Sequence, residues 1–106
     1  MKLIQTTAVS ALALGLTAGT ALADAHAACG TVTFSDVGWT DITATTAATS
    51  VLLEALGYET ETLVLSVPVT YTSLAEGDVD IFLGNWMPTM EADIAPYREA
   101  GTVDTV

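Results

Sequence analysis

Asp78-Val-Asp-Ile-Phe-Leu-Gly-Asn-Trp-Met-Pro88 changes character in mid-run. Val79, Ile81, Phe82 and Leu83 form a short, mostly β-branched and aromatic run, the pattern of a strand buried on both faces of a parallel sheet. Gly84-Asn85 ends it and Trp86 follows at once, so a large amphipathic ring is carried just past the carboxyl end of the strand. Open α/β sheets place their ligands there, in the crevice outside the strand ends. The arrangement occurs once earlier, in Thr31-Val-Thr-Phe-Ser-Asp-Val-Gly-Trp-Thr-Asp41, where an alternating strand runs into Asp36, Gly38 and Trp39. Trp39 and Trp86 are the only 2 tryptophans of the chain. Neighbouring parallel strands are therefore expected to hold both rings at one crevice, as two walls of a site for a cation. The competing expectation is that both are ordinary core or loop-packing residues.

Outward from these stretches, the periodicities alternate. Strand one is expected over Thr31 to Ser35. After the loop, Asp41 is a good N-cap, and Ile42, Thr46, Thr49, Leu53 and Leu56 recur at helical spacing up to Gly57. Many threonines weaken that helix, which must rely on packing its apolar face. Tyr58 to Val67 reads as strand two. Pro68 begins a short helix that Gly77 closes after Glu76, and the strand quoted first comes next. Pro88 to Arg98 is expected to be a third helix, kinked or shortened by Pro96. Strand, helix, strand, helix, strand, helix implies a three-stranded parallel sheet with right-handed crossovers and flanking helices. No element finishes the chain after Gly101.

The first residues stand apart from this pattern. Met1-Lys2 is a short positive start, Leu3 to Thr20 is apolar with small residues, and Ala21-Leu-Ala23 offers a cleavage site. Residues 1–23 thus read as a secretory signal peptide and residues 24–106 as the mature part; a second cut after Ala25-His-Ala27 is the alternative. Without the leader, Arg98 is the only lysine or arginine against 13 acids. Such a surface repels phosphate backbones and anionic headgroups, which argues against nucleic-acid and membrane-surface partners. Cys29, the single cysteine, has no internal partner.

Catalytic and metal chemistries find few residues here. The sole histidine, His26, lies beside the cleavage site, leaving no Ser-His-Asp or Cys-His arrangement, no zinc ligand cluster and no phosphate-cradling glycine loop. Asp78 and Asp80 sit at the strand entrance, opposite the tryptophan end, so a paired-carboxylate site is not expected. No cofactor is implied. A quaternary ammonium suits the aromatic pair instead, because it has no N–H to donate and spreads its charge over poorly hydrated methyl groups. Each ring face contributes about 0.5–1 kcal/mol when exposed and around 2 when desolvated. Asp41 is available either as the helix N-cap or as a carboxylate beside the cation. Asn85 is a turn residue with a ligand contact as its second role.

Val32-Thr-Phe-Ser-Asp-Val-Gly-Trp-Thr-Asp-Ile-Thr43, Leu53-Glu-Ala-Leu-Gly-Tyr58, Val67-Pro-Val-Thr-Tyr71 and Asp80-Ile-Phe-Leu-Gly-Asn-Trp-Met-Pro-Thr89 together resemble the periplasmic substrate-binding proteins of choline and glycine betaine ABC importers, most closely the choline-binding type. The resemblance implies a non-enzymatic, periplasmic capture component that works with a membrane permease, has a type II periplasmic-binding-protein fold of two lobes, and uses an aromatic box for the trimethylammonium group. By match of motif, Trp39 and Trp86 would be two walls of the box and Asp41 would contact the choline hydroxyl. Members of the family are close to three times as long, so this chain is expected to hold the first part of lobe one. The partner of Cys29 and the remaining walls would then lie in the rest. Glycine or proline betaine is the alternative ligand, and a small exported structural protein the alternative role.

Overall fold

The computed structural model describes residues 30–106. The expected leader, its cleavage sites, His26 and Cys29 lie outside the described residues. Three strands, β1 (Thr31–Asp36), β2 (Glu59–Val64) and β3 (Ile81–Phe82), alternate with three helices, α1 (Thr40–Ala55), α2 (Val67–Glu76) and α3 (Glu91–Glu99). Both strand pairs are parallel and the order is β2-β1-β3, with Thr31 opposite Glu59, and Phe34 and Ser35 opposite Ile81 and Phe82. The first crossover runs from β1 to one neighbour and the second returns past β1 to the other. Right-handed crossovers in opposite directions put α1 and α2 on opposite faces.

Side-chain alternation along β1 serves both faces. Asp36 accepts a hydrogen bond from Thr43 of α1, while the intervening Ser35 shares a 2.6 Å hydroxyl pair with Thr70 of α2. Phe34, Ile42, Tyr71, Val79, Met90 and Ile94 are the buried apolar side chains. α3 closes over α2, with the Tyr97 ring stacked 6.1 Å from that of Tyr71 and its hydroxyl 3.0 Å from Thr72 Oγ1.

Several local expectations are corrected. Asp41 is not the N-cap of α1: Trp39 occupies that position without a side-chain cap, and Asp41 lies in the first turn, where a carboxylate still complements the helix dipole. The helix does end where Gly57 is expected to stop it, with Leu56, 71% exposed, as C-cap and Gly57 at φ +96°. β2 ends at Val64 and Val67 already belongs to α2, since the residue before Pro68 can open a helix. β3 is shorter and barer than the apolar run suggested: only Ile81 and Phe82 pair, both are half-buried, and the sole neighbour is β1. The reason is position, because an edge strand is covered on one side only. Asp80, at the strand entrance, is exposed, and its Oδ2 accepts the Thr33 N–H at 2.8 Å. Pro96 sits inside α3, but the helix begins at Glu91 rather than Pro88, the intervening residues forming turns.

Candidate functional site

In the order β2-β1-β3 the chain departs from β1 in two directions, so the topological switch point lies between the carboxyl ends of β1 and β3. Trp39 follows β1 and Trp86 follows β3. Their ring centroids are 4.9 Å apart with 37° between the planes. Neither indole is core: Trp39 is 36% and Trp86 48% exposed, and the adjacent Met87 is also exposed. This exposed aromatic pair is the kind of apolar surface a soluble domain keeps for binding.

The spacing corrects one expectation. Two rings whose centroids are 4.9 Å apart touch each other, so they do not flank a gap wide enough for a methylated ammonium. A cation gains from a ring when it lies over an exposed part of its face within about 6 Å of the centroid, and the 37° tilt keeps the two faces from closing flat on each other.

Each indole is held by polar groups behind it. Asp36, 4% exposed, accepts the Gly38 N–H at 2.8 Å through Oδ1 and the Thr43 hydroxyl at 2.6 Å through Oδ2. One carboxylate thereby ties the Trp39 turn to the first turn of α1. Gly38 has φ +78°, a conformation that favours glycine. On the other side, the Trp86 N–H is directed at Met90 Sδ, 3.3 Å away, and the Trp86 carbonyl accepts the Met90 N–H at 2.9 Å. Asn85 Oδ1 accepts the Tyr71 hydroxyl at 2.7 Å. Gly84 is packed so closely that a Cβ there would lie 2.7 Å from the Phe82 ring and 3.1 Å from Ile42 Cγ1.

Asp41 is exposed, and its carboxylate makes no hydrogen bond among the described residues. That leaves both oxygens available beside the Trp39 turn. The Asn85 oxygen, by contrast, is taken by Tyr71, leaving only its amide nitrogen for a ligand. Arg98, the one basic residue among those described, is paired with Glu91, so no described cation competes for the crevice. A concavity of about 670 Å³ lies against β3, Leu74, Ile94 and residues 102–106 and is also lined by Tyr71 and Asn85; neither indole lines it.

Sequence reasoning named the two indoles, Asp41 and Asn85 but missed Asp36, Tyr71 and Met90 as groups that hold the tryptophan turns. Asp36 had a signal, since Asp-Val-Gly is the sequence of a turn in which the aspartate bonds the N–H two residues on. Tyr71 and Met90 had none, being apolar-face positions of a helix and a turn.

A family model, the substrate-binding domain of ABC-type glycine betaine transport systems, matches residues 30–106. An uncharacterized protein, ORF1, of Chromohalobacter salexigens is 53% identical over 76 residues, which make up 72% of this chain and 49% of that protein. Two solved structures of an ABC-transporter choline-binding protein are each 76% identical to this chain. The one in complex with choline has a TM-score of 0.70 and is matched over 71% of this chain and 26% of its own. The unliganded, semi-closed one has a TM-score of 0.69, over 74% and 27%. This chain therefore spans about half the length of the curated relative and about a quarter of the solved chains.

Proposed function

We propose, for a chain that belongs to the family of substrate-binding domains of ABC-type glycine betaine transport systems, that its indole pair is part of a receptor site for choline. The family is one of capture proteins rather than enzymes, and the fold is that of its solved relatives. The observation that carries the reading is the pair of exposed tryptophans brought together at the switch point. In this reading the trimethylammonium group lies against the exposed surface of the indole pair, and Asp41 accepts the choline hydroxyl. Asn85 lends its amide. The net charge of -11 draws cations toward the crevice.

Choline is favoured over glycine or proline betaine for one reason. Asp41 is exposed beside the Trp39 turn, and a carboxylate there repels the carboxylate of a betaine. The receptor would work in the periplasm and pass its ligand to a membrane permease of the same importer. No helix among the described residues is long and apolar enough to cross a membrane.

Two ring faces contribute about 2–4 kcal/mol at best, and about 4 kcal/mol corresponds to a dissociation constant near 1 mM. Micromolar affinity takes about 8 kcal/mol, so the remaining contacts would come from the part of the relatives beyond this chain. The test is a fluorescence titration of the protein with choline, with ammonium at equal concentration as control. Choline is expected to perturb the indole emission with a midpoint no tighter than about 1 mM, ammonium to leave it unchanged, and Trp86→Ala to remove the response without lowering the melting temperature. Betaine should bind more weakly than choline, and Asp41→Ala should narrow that difference. An equal response to ammonium, or loss of stability as the sole effect of Trp86→Ala, would show that the indoles are not a quaternary-ammonium site.

A further inference from the structure

The groups that fix Trp86 converge on one side chain that faces away from the crevice. Tyr71 of α2 is 1% exposed. Its ring is set edge-on to Phe82 at 5.9 Å and stacked against Tyr97 at 6.1 Å, so its position is determined by β3 and α3 together. Its hydroxyl has a single proton, which the 2.7 Å contact directs to Asn85 Oδ1. Met90 Sδ stands 3.5 Å from the same oxygen and receives the Trp86 N–H at 3.3 Å. The residue before Trp86 is thus hydrogen-bonded to this phenol, and the sulfur that accepts the Trp86 backbone N–H lies against it.

We infer that Tyr71 is a positioning residue for the indole pair: through Asn85 and Met90 it holds Trp86 against Trp39. It does not reach the crevice surface itself. The alternative account of a buried tyrosine, packing alone, is carried by the ring, whereas the positioning role is carried by the hydroxyl. Tyr71→Phe separates them because it keeps the ring and removes only the oxygen. The consequence for ligand binding rests on the choline reading above; the geometry of the indole pair does not.

Two indoles in contact couple their transitions and give an exciton couplet in circular dichroism, which reports ring pairing without any ligand. Trp86→Phe identifies the couplet by abolishing it. Loss of the phenol hydrogen bond is expected to shift the balance between paired and parted rings about fivefold, the equilibrium weight of one such bond. Tyr71→Phe should therefore reduce the couplet, by about half where paired rings outnumber parted ones roughly threefold, with the melting temperature lowered by no more than about 8 °C. Met90→Leu, which preserves volume and removes the sulfur, should weaken the couplet in the same way. It decides the matter if Tyr71→Phe does not fold. A full couplet in a folded Tyr71→Phe variant, or in Met90→Leu when the former does not fold, overturns the inference, as does absence of the couplet from the unsubstituted protein. Failure of choline to bind the unsubstituted protein would overturn the receptor reading alone and leave the couplet test standing.

Discussion

Asp36 and Tyr71 are buried polar side chains that sit behind an exposed aromatic pair. Asp36 is satisfied by two donors, the Gly38 N–H and the Thr43 hydroxyl, as a buried carboxylate must be. Tyr71 is held neutral: burial, and secondarily the negative charge of Asp93, push its phenol above the ordinary tyrosine value of 10.0. The folded state therefore keeps this proton more tightly than the unfolded chain does. The stabilisation is fully present below the unfolded value and is lost as pH rises through the folded one. Thermal melts at increasing alkalinity should show stability falling above about pH 10, by up to about 1.4 kcal/mol per pH unit for one proton. In Tyr71→Phe that component of the decline should be missing.

At the level of elements, the loop after β3 owes its shape to close packing. Gly84 is buried where the strand passes beneath Ile42 of α1 and beside the ring of Phe82. A methyl at that position would stand 2.7 Å from the ring, nearer than real carbon contacts allow, so the ring or the strand must shift. Gly84→Ala is expected to cost about 1–3 kcal/mol, the usual range for overpacking, measured by urea denaturation. Because Phe82 lies edge-on to Tyr71, the same shift should reach the Asn85 anchor. The threonine-rich α1 is a contrast. It buries only Ile42 and Thr46, and Thr45 and Thr49 bond the carbonyls one turn back, a habit that offsets little of their weak helix propensity.

For the molecule as a whole, charge and size act together. A net charge of -11 is carried on a small three-stranded sheet whose buried apolar side chains are six among the described residues. Self-repulsion of like charges then weighs heavily against a modest core. Salt shortens the reach of that repulsion from about 30 Å at 0.01 M to about 3 Å at 1 M. The melting temperature is accordingly expected to rise with sodium chloride across that range, whereas a chain dominated by attractive ion pairs would lose stability. The one ion pair seen among the described residues, Arg98 with Glu91, is exposed and too weak to reverse the sign.

Much of this was legible from the chain alone. Gly57, Gly77 and Pro68 punctuate it, and the alternation of apolar periods gives the element order, the parallel sheet and its crossovers; the residue after each of two strand ends is tryptophan. These are local properties, carried by a few consecutive residues, and they placed Trp39 and Trp86 at one end of the sheet. Tertiary structure alone decided that the rings touch at 4.9 Å rather than flank a gap, that Asp41 leaves the cap to Trp39, and that Tyr71 and Met90 hold the Trp86 turn. The ring contact and the Tyr71–Asn85 bond depend on strand register and on the packing of side chains distant in sequence, and no periodicity within one element encodes the distance between two.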